Sequence, residues 1–227
     1  MDSRVLDNAA WAALAGPQAL IAQTYGNARR FPPDVSPFGA IADKADLTCW
    51  SDLATLIGPG GQVALTGSGE IDIPEGWEVT GSGKGKQMTG EMVMGEADPE
   101  AIALGLADVP EMLDLIARTE PGPFLPRTVE LGGYLGYRVD GALVAMAGRR
   151  LHPSGWIEIS AVCTDPAYRG RGMGGRLVNA VAAEIRAEGE IPFLHVSVLK
   201  ENAIRLYEKL GFHIRMQGTF KVVKAPA

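Results

Sequence analysis

The sequence predicts an α/β (α+β) chain built on a mixed, mostly antiparallel central sheet flanked by helices. Three observations carry this expectation. Residues 133–139, 142–148 and 156–163 are strand-like runs joined by Asp140-Gly141 and Pro153-Ser154-Gly155, so they read as an antiparallel meander. Asp140-Gly141 suits a tight turn that requires positive φ. A glycine-rich loop at residues 169–175 then opens a helix with Leu177, Val181 and Ile185 on one face and Gly189 as its stop. Finally, a strand at residues 193–198, a short helix with the stripe Ala203, Leu206, Tyr207 and Leu210, and closing strand material at residues 212–223 complete the alternation.

Ahead of the meander, Asp108-Val109-Pro110-Glu111 resembles a capping box, and Met112, Leu115 and Ile116 follow at helical spacing. Pro121, Pro123 and Pro126 make the next segment a stiff loop. The first 95 residues carry weaker signals. They predict a helix over residues 7–23, a proline-punctuated loop at 30–37 and a helix over 46–57. A turn at 58–61 and strands at 62–66, 77–80 and 87–94 follow. Gly81-Ser82-Gly83-Lys84-Gly85-Lys86 lacks the Walker spacing and a following helix, and it reads as a flexible hairpin tip. The change in clarity places a boundary between an N-terminal lobe, residues 1–95, and a second domain, residues 96–227.

Composition narrows the function classes. The 227 residues are 46% hydrophobic, enough for a real core. The net charge is −6, and the excess acid lies in the first 95 residues, with 6 basic and 11 acidic groups against 15 and 16 in the rest. A broad electrostatic grip on nucleic acid is therefore not expected. No apolar run approaches a membrane span, so no membrane partner is expected. The alanine-rich run at residues 9–15 is short and Asp2 and Asp7 offset Arg4, so it reads as a first amphipathic helix and the protein as cytoplasmic. Cys49 and Cys163 show no metal-ligand or redox spacing and read as reduced thiols.

Arg169-Gly170-Arg171-Gly172-Met173-Gly174-Gly175 is the most informative stretch. Glycines let the backbone approach an anion and turn successive N–H groups toward it, and the helix that follows adds unpaired donors and its positive dipole end. The pattern suits a pyrophosphate. It also satisfies G-x-G-x-x-G, so a dinucleotide fold is the rival. Five residues separate the preceding strand from the loop, that strand belongs to an antiparallel meander, and no acidic residue ends the strand at 193–198 until Glu201. All three count against that rival.

The other pattern, Arg-x-x-Gly-x-Gly, is present as Arg169-Gly170-Arg171-Gly172-Met173-Gly174. It follows Asp165-Pro166 and precedes Asn202-Ala203-Ile204-Arg205-Leu206-Tyr207-Glu208-Lys209-Leu210-Gly211-Phe212. With both motifs in this order, residues 96–227 resemble the GNAT superfamily of acyl-CoA-dependent N-acyltransferases. The spacing of Glu158 to the loop also resembles the glycine N-acyltransferase branch. The resemblance implies a GNAT fold, with a degenerate GNAT-like half as one reading of residues 1–95. It implies acetyl-CoA as co-substrate, no metal, and direct attack by a bound amine.

It also implies roles for residues. Glu158, eleven residues before Arg169, is the expected general base, since an alkyl amine is mostly protonated at neutral pH. Alternation puts Glu158, Ser160 and Val162 on one strand face. Tyr207 is the expected general acid toward the departing thiolate. Val162, Cys163 and Thr164 would offer backbone groups to the pantetheine arm. Arg169, Gly170, Arg171, Gly172, Met173, Gly174 and Gly175 would cradle the pyrophosphate. Where many family members carry an asparagine seven residues before the tyrosine, this chain has Lys200. Asn202, five before, is the candidate pantetheine contact and also a helix cap.

Other residues read more simply. Cys163 lies close enough to suggest a nucleophile, but no His and Asp pattern surrounds it and a small buried cysteine is the expectation. His195 sits beside the acyl site and reads as a strand histidine satisfied by local hydrogen bonds, with an auxiliary base as its functional alternative. His152 and His213 show no metal pairing. The expected function is N-acetyl transfer to a small-molecule amine or amino acid. A protein N-terminus is the nearest variant, and a non-catalytic acyl-CoA-binding module is the second reading.

Overall fold

The computed structural model describes residues 2–227. In chain order the elements are α1 (Ala9–Ala15), β1 (Gln23–Tyr25), β2 (Ala28–Arg30), β3 (Gly39–Ile41), α2 (Leu47–Ile57), β4 (Gln62–Ser68) and β5 (Glu78–Thr89). Then come β6 (Ile102–Leu104), α3 (Val109–Thr119), β7 (Tyr134–Val139), β8 (Ala142–Arg149) and β9 (Trp156–Thr164). The chain closes with α4 (Met173–Ala187), β10 (Ile191–Ser197), α5 (Glu201–Lys209) and β11 (His213–Lys224).

Eight strands form one sheet in the order β4-β11-β5-β10-β9-β8-β7-β6. Every neighbouring pair is antiparallel except β9 and β10, which run parallel. This is the mixed, mostly antiparallel sheet that the sequence predicts, and the turn residues Asp140 and Gly141 both have positive φ, 50° and 84°. A separate three-stranded sheet, β1-β2-β3, packs with α2. Strands β4 and β5 come from the first 95 residues yet lie in the large sheet, with β5 inserted between β10 and β11. A boundary at 95/96 therefore divides the chain within one sheet.

The helices cover the sheet from two sides. The α4 residues Leu177, Val181 and Ile185 pack with Ala145, Ala147, Ile157 and Ile159. Against the other side, Met112 and Leu115 of α3 pack with Tyr134, Met146, Ala161 and Cys163. Residues 157 and 159 of β9 thus face α4, whereas 161 and 163 face α3. The change of phase comes from a bulge: Cys163 pairs with Met146 but Ser160 pairs with Gly148, and Ala161 takes φ 53°. Simple alternation from Glu158 to Val162 therefore fails, and Val162 turns toward the α4 core.

Other local expectations are corrected. The first helix is α1 alone, preceded by a 3-10 turn at Ser3–Asn8, because Gly16 and Pro17 end it well before residue 23. Residues 81–86 are no hairpin tip but the middle of the twelve-residue β5. Their local flexibility is overridden by pairing on both sides, and the Phe220 ring occupies the space that a Cβ at Gly83 would need. Residues 91–94, expected to extend the strand, lie outside it. Asp108 precedes α3 as expected, but its carboxylate accepts from the Gly105 amide and from Arg138 instead of capping the helix.

Close approach makes one glycine testable. A Cβ at Gly148 would lie 2.3 Å from the buried Tyr134 ring. Gly148→Ala is expected to lower the unfolding free energy by about 1–3 kcal/mol through overpacking, measured by urea denaturation. An unchanged midpoint would mean that the ring yields without cost.

Candidate active site

The bulge at Ala161 coincides with a parting of strands. β9 pairs with β10 only as far as Ile159 and Leu194. Beyond that point β9 stays with β8 through Thr164, and β10 stays with β5 through Ser197. The polar edge of β9 is thus left without its parallel partner where Ser160, Ala161 and Val162 line a cavity of about 460 Å³. Tyr207 of α5 lines it, as do His195 and Ser197 of β10. The first half of the chain supplies much of the remaining wall, including Leu6, Asp7, Phe38, Ala64 and Gln87, and Pro121 and Pro123 add to it.

Residues 169–175 lie at the end of β9, outside that lining. Gly170 and Gly172 both take φ 78°, which turns the chain sharply into α4. No side chain caps α4, and no acceptor is found among the described residues for the amides of residues 170–175. These free donors at the start of a fifteen-residue helix make an anion cradle. Arg169 donates through Nε to the Thr164 carbonyl at 3.2 Å, and Arg171 stacks on Tyr168. Met173 anchors the turn in the core, while Gly174 sits against Thr164 and Val162, and Gly175 against Leu206.

Glu158 occupies a different setting from the one its sequence position suggests. It has no exposed surface and is absent from the cavity wall. Arg150 grips it at 2.9 and 2.7 Å, the Leu151 amide donates at 3.3 Å, and His195 Nδ1 lies 2.7 Å from Oε1. Burial alone would raise its pKa, but the Arg150 charge and hydrogen bonds, joined by His195, hold its carboxyl well below the usual carboxylate range. A carboxylate so enclosed is a poor proton acceptor for a substrate in the cavity. His195, which does reach the cavity, stands in front of it.

Tyr207 is buried, and burial pushes its phenol up to about 12, so it keeps its proton at neutral pH. The Cys163 thiol is pushed up to about 11 by burial and belongs to the α3 core, which leaves it no nucleophilic role. Lys200 donates to the Glu120 carbonyl at 2.8 Å and closes the end of α3. Asn202 lies one residue inside α5, exposed, accepting from Arg205 at 2.5 Å. It neither caps the helix nor lines the cavity.

Arg150 and Gln87 belong to no motif of the sequence. The Arg150–Glu158 pair was discoverable, because the two residues stand symmetrically about Ser154 in the turn between β8 and β9. Gln87 was not, since only the tertiary pairing of β5 with β10 sets it opposite His195.

The ion pair gives the fold an acid limit. Because the folded carboxyl of Glu158 titrates below its unfolded value, its contribution is full above the ordinary glutamate range and fades as pH falls below about 4. Arg150→Met, which strands a buried charge, is expected to cost about 3–5 kcal/mol at neutral pH. Chemical denaturation of both proteins across this range measures the effect, and an Arg150→Met protein as stable as the parent would refute it.

Known proteins share this fold. Residues 134–220 match the family model described as FR47-like protein. A crystal structure from Novosphingobium aromaticivorans, assigned as an acetyltransferase to the GNAT family, superposes with a TM-score of 0.89 at 39% identity, covering 98% of this chain and 99% of that one. The N-alpha-acetyltransferase RimI of Mycobacterium tuberculosis is 33% identical over 130 residues, 51% of this chain and 81% of its own. An uncharacterised N-acetyltransferase of Schizosaccharomyces pombe is 40% identical over 73 residues, which span only 29% of that protein. With the parted strands, the free amides ahead of α4 and a full-length relative at this identity, the chain belongs to the GNAT family of acetyltransferases.

Proposed function

We propose that the protein transfers an acetyl group from acetyl-CoA to the primary amine of a small molecule or amino acid. One observation carries this reading: a single cavity joins the unpaired edge of β9 to a histidine backed by a buried carboxylate and to a protonated tyrosine. The residues fit the donor. The free amides of residues 170–175, with Arg169 and Arg171 beside them, would hold its pyrophosphate, and the polar edge at residues 160–162 would hold the pantetheine arm. When bound there, acetyl-CoA supplies an acyl group already activated as a thioester.

His195 Nε2 accepts the proton of the acceptor amine, while Nδ1–H stays on Glu158, which orients the ring and offsets the charge it gains. Glu158 is thus the partner of the base instead of the base itself. Tyr207 holds its phenol proton for the sulfur side of the bond that breaks. The acceptor is small on this reading because Leu6, Phe38, Ala64 and the Pro121–Pro123 corner wall in the cavity. The identity to the mycobacterial N-alpha-acetyltransferase favours a protein N-terminus as the second reading.

Mass-spectrometric screening of amines, amino acids and a short peptide with a free N-terminus, each with acetyl-CoA, tests the assignment. Acetylation of a free amine or amino acid is expected. Product from the peptide alone would select the second reading, and none from any acceptor or acyl-CoA would leave a binding module. His195→Gln and Tyr207→Phe are each expected to lower kcat roughly 10²–10⁴-fold. Both should keep thermal stabilisation by CoA, about 2.7 kcal/mol at a hundred times its Kd. Full turnover in His195→Gln would remove that residue from the mechanism.

A further inference from the structure

Gln87 reaches the active site from β5, a strand contributed by the first half of the chain, and the residue is 2% exposed with each polar side-chain atom engaged. Arg215 Nη1 lies 2.8 Å from Oε1. A guanidinium only donates, so the Gln87 atom facing it must be oxygen. Arg215 is itself held by the Asp7 carboxylate. The Gln87 nitrogen therefore points the other way, donating one hydrogen to the Leu6 carbonyl at 2.9 Å and placing the second 3.1 Å from His195 Nε2. A nitrogen facing a donor must present its lone pair. On the opposite edge of the ring, Glu158 is ionised and only accepts, so His195 Nδ1 carries the hydrogen.

We propose that Gln87 is a positioning residue that holds His195 in the Nδ1–H tautomer, with Nε2 free of a proton and its lone pair hydrogen-bonded to the Gln87 amide until the acceptor arrives; the catalytic part of this rests on His195 as the base. The charged groups around the ring are themselves paired. Arg150 shares the Glu158 carboxylate of β9 through two hydrogen bonds. Arg215 from β11 is offset by Asp7 from the N-terminal turn. Lys84 and Lys200 are the remaining charged side chains of the cavity wall, and both are cationic. A proton on Nε2 would meet the Gln87 N–H. The amide cannot flip to welcome it, because flipping would set NH₂ against Arg215 and oxygen against the Leu6 carbonyl. During transfer the hydrogen bond from Gln87 to Nε2 breaks as Nε2 takes the amine's proton, the Gln87 N–H bond staying intact, and Leu6 and Arg215 keep the amide in place to restore the hydrogen bond when that proton leaves. Residues 1–95 thereby enter the chemistry through Gln87, Leu6 and Asp7.

Long-range ¹H–¹⁵N spectra of histidine-labelled protein read the tautomer directly, with His195→Gln assigning the signal among the three histidines. The wild type is expected to show the Nδ1–H form. In Gln87→Glu, a carboxylate faces Nε2, and the ratio of imidazolium to neutral ring should rise roughly tenfold or more at fixed pH. Gln87→Met, which removes the donor with little change of volume, should raise it less. The acid limb of the kcat/KM profile should move to higher pH in the same order. An Nε2–H ring in the wild type, or equal ratios in all three proteins, would overturn the proposal. The expected spectra with full turnover in His195→Gln would sink the base assignment alone, and lost turnover with unmoved spectra would sink the role of Gln87 alone.

Discussion

The parting of β9 from β10 after Ile159 and Leu194 is the constraint on which the rest of the site depends. Two neighbouring parallel strands normally satisfy each other's backbone along their whole length. Here a bulge at Ala161, held at a positive φ that a non-glycine residue seldom adopts, turns β9 away while β8 continues to pair with it. The result is an opening in the sheet with a polar edge on one side. The same turn sends Cys163 into the α3 core and Val162 toward α4, and it delivers the chain to the loop where α4 begins with its amides free. Such strain persists only where surrounding structure enforces it, and here the antiparallel pairing with β8 and the packing of α4 and α3 do so.

Charge inside this opening is arranged in pairs. Glu158 has no contact with solvent, yet it remains ionised because Arg150 meets it with both nitrogens of one edge. Burying such a pair gives little net stability, but removing one member is costly. Its value lies in position: the pair sits behind His195 and fixes the direction of one ring nitrogen. Arg215 and Asp7 do the corresponding work behind Gln87 on the other ring nitrogen. The His195 imidazole thereby lies between two networks, one of Arg150 and Glu158 and one that joins Gln87 and Asp7 from the first half of the chain to Arg215 of β11.

The secondary structure of residues 96–227 was legible because its signals are local. Turn dipeptides, alternating apolar strands and glycine stops depend on neighbours a few residues away, and the meander, α4 and α5 fall close to where those signals put them. Residues 1–95 were harder for a physical reason. Gly16 and Pro17 truncate a helix that apolar content alone would extend, and β5 is glycine-rich and weakly strand-forming by itself. It becomes a central strand only because β10 and β11 pair with it from both sides.

The sequence by itself determined the family, the glycine turn into α4 and the order of the elements from β7 onward, because glycine φ, helix N-termini and motif spacing are properties of short segments. Tertiary structure alone decided which groups meet. Glu158 and His195 are 37 residues apart, and Gln87 and His195 are 108 apart. No local rule specifies a hydrogen bond across such distances. The carboxylate that sequence position offers as a base is, in the folded chain, sealed behind a histidine, since burial and an arginine partner fix its charge. What a titratable residue does depends on solvent access and on the charges beside it, and only the packed sheet sets both.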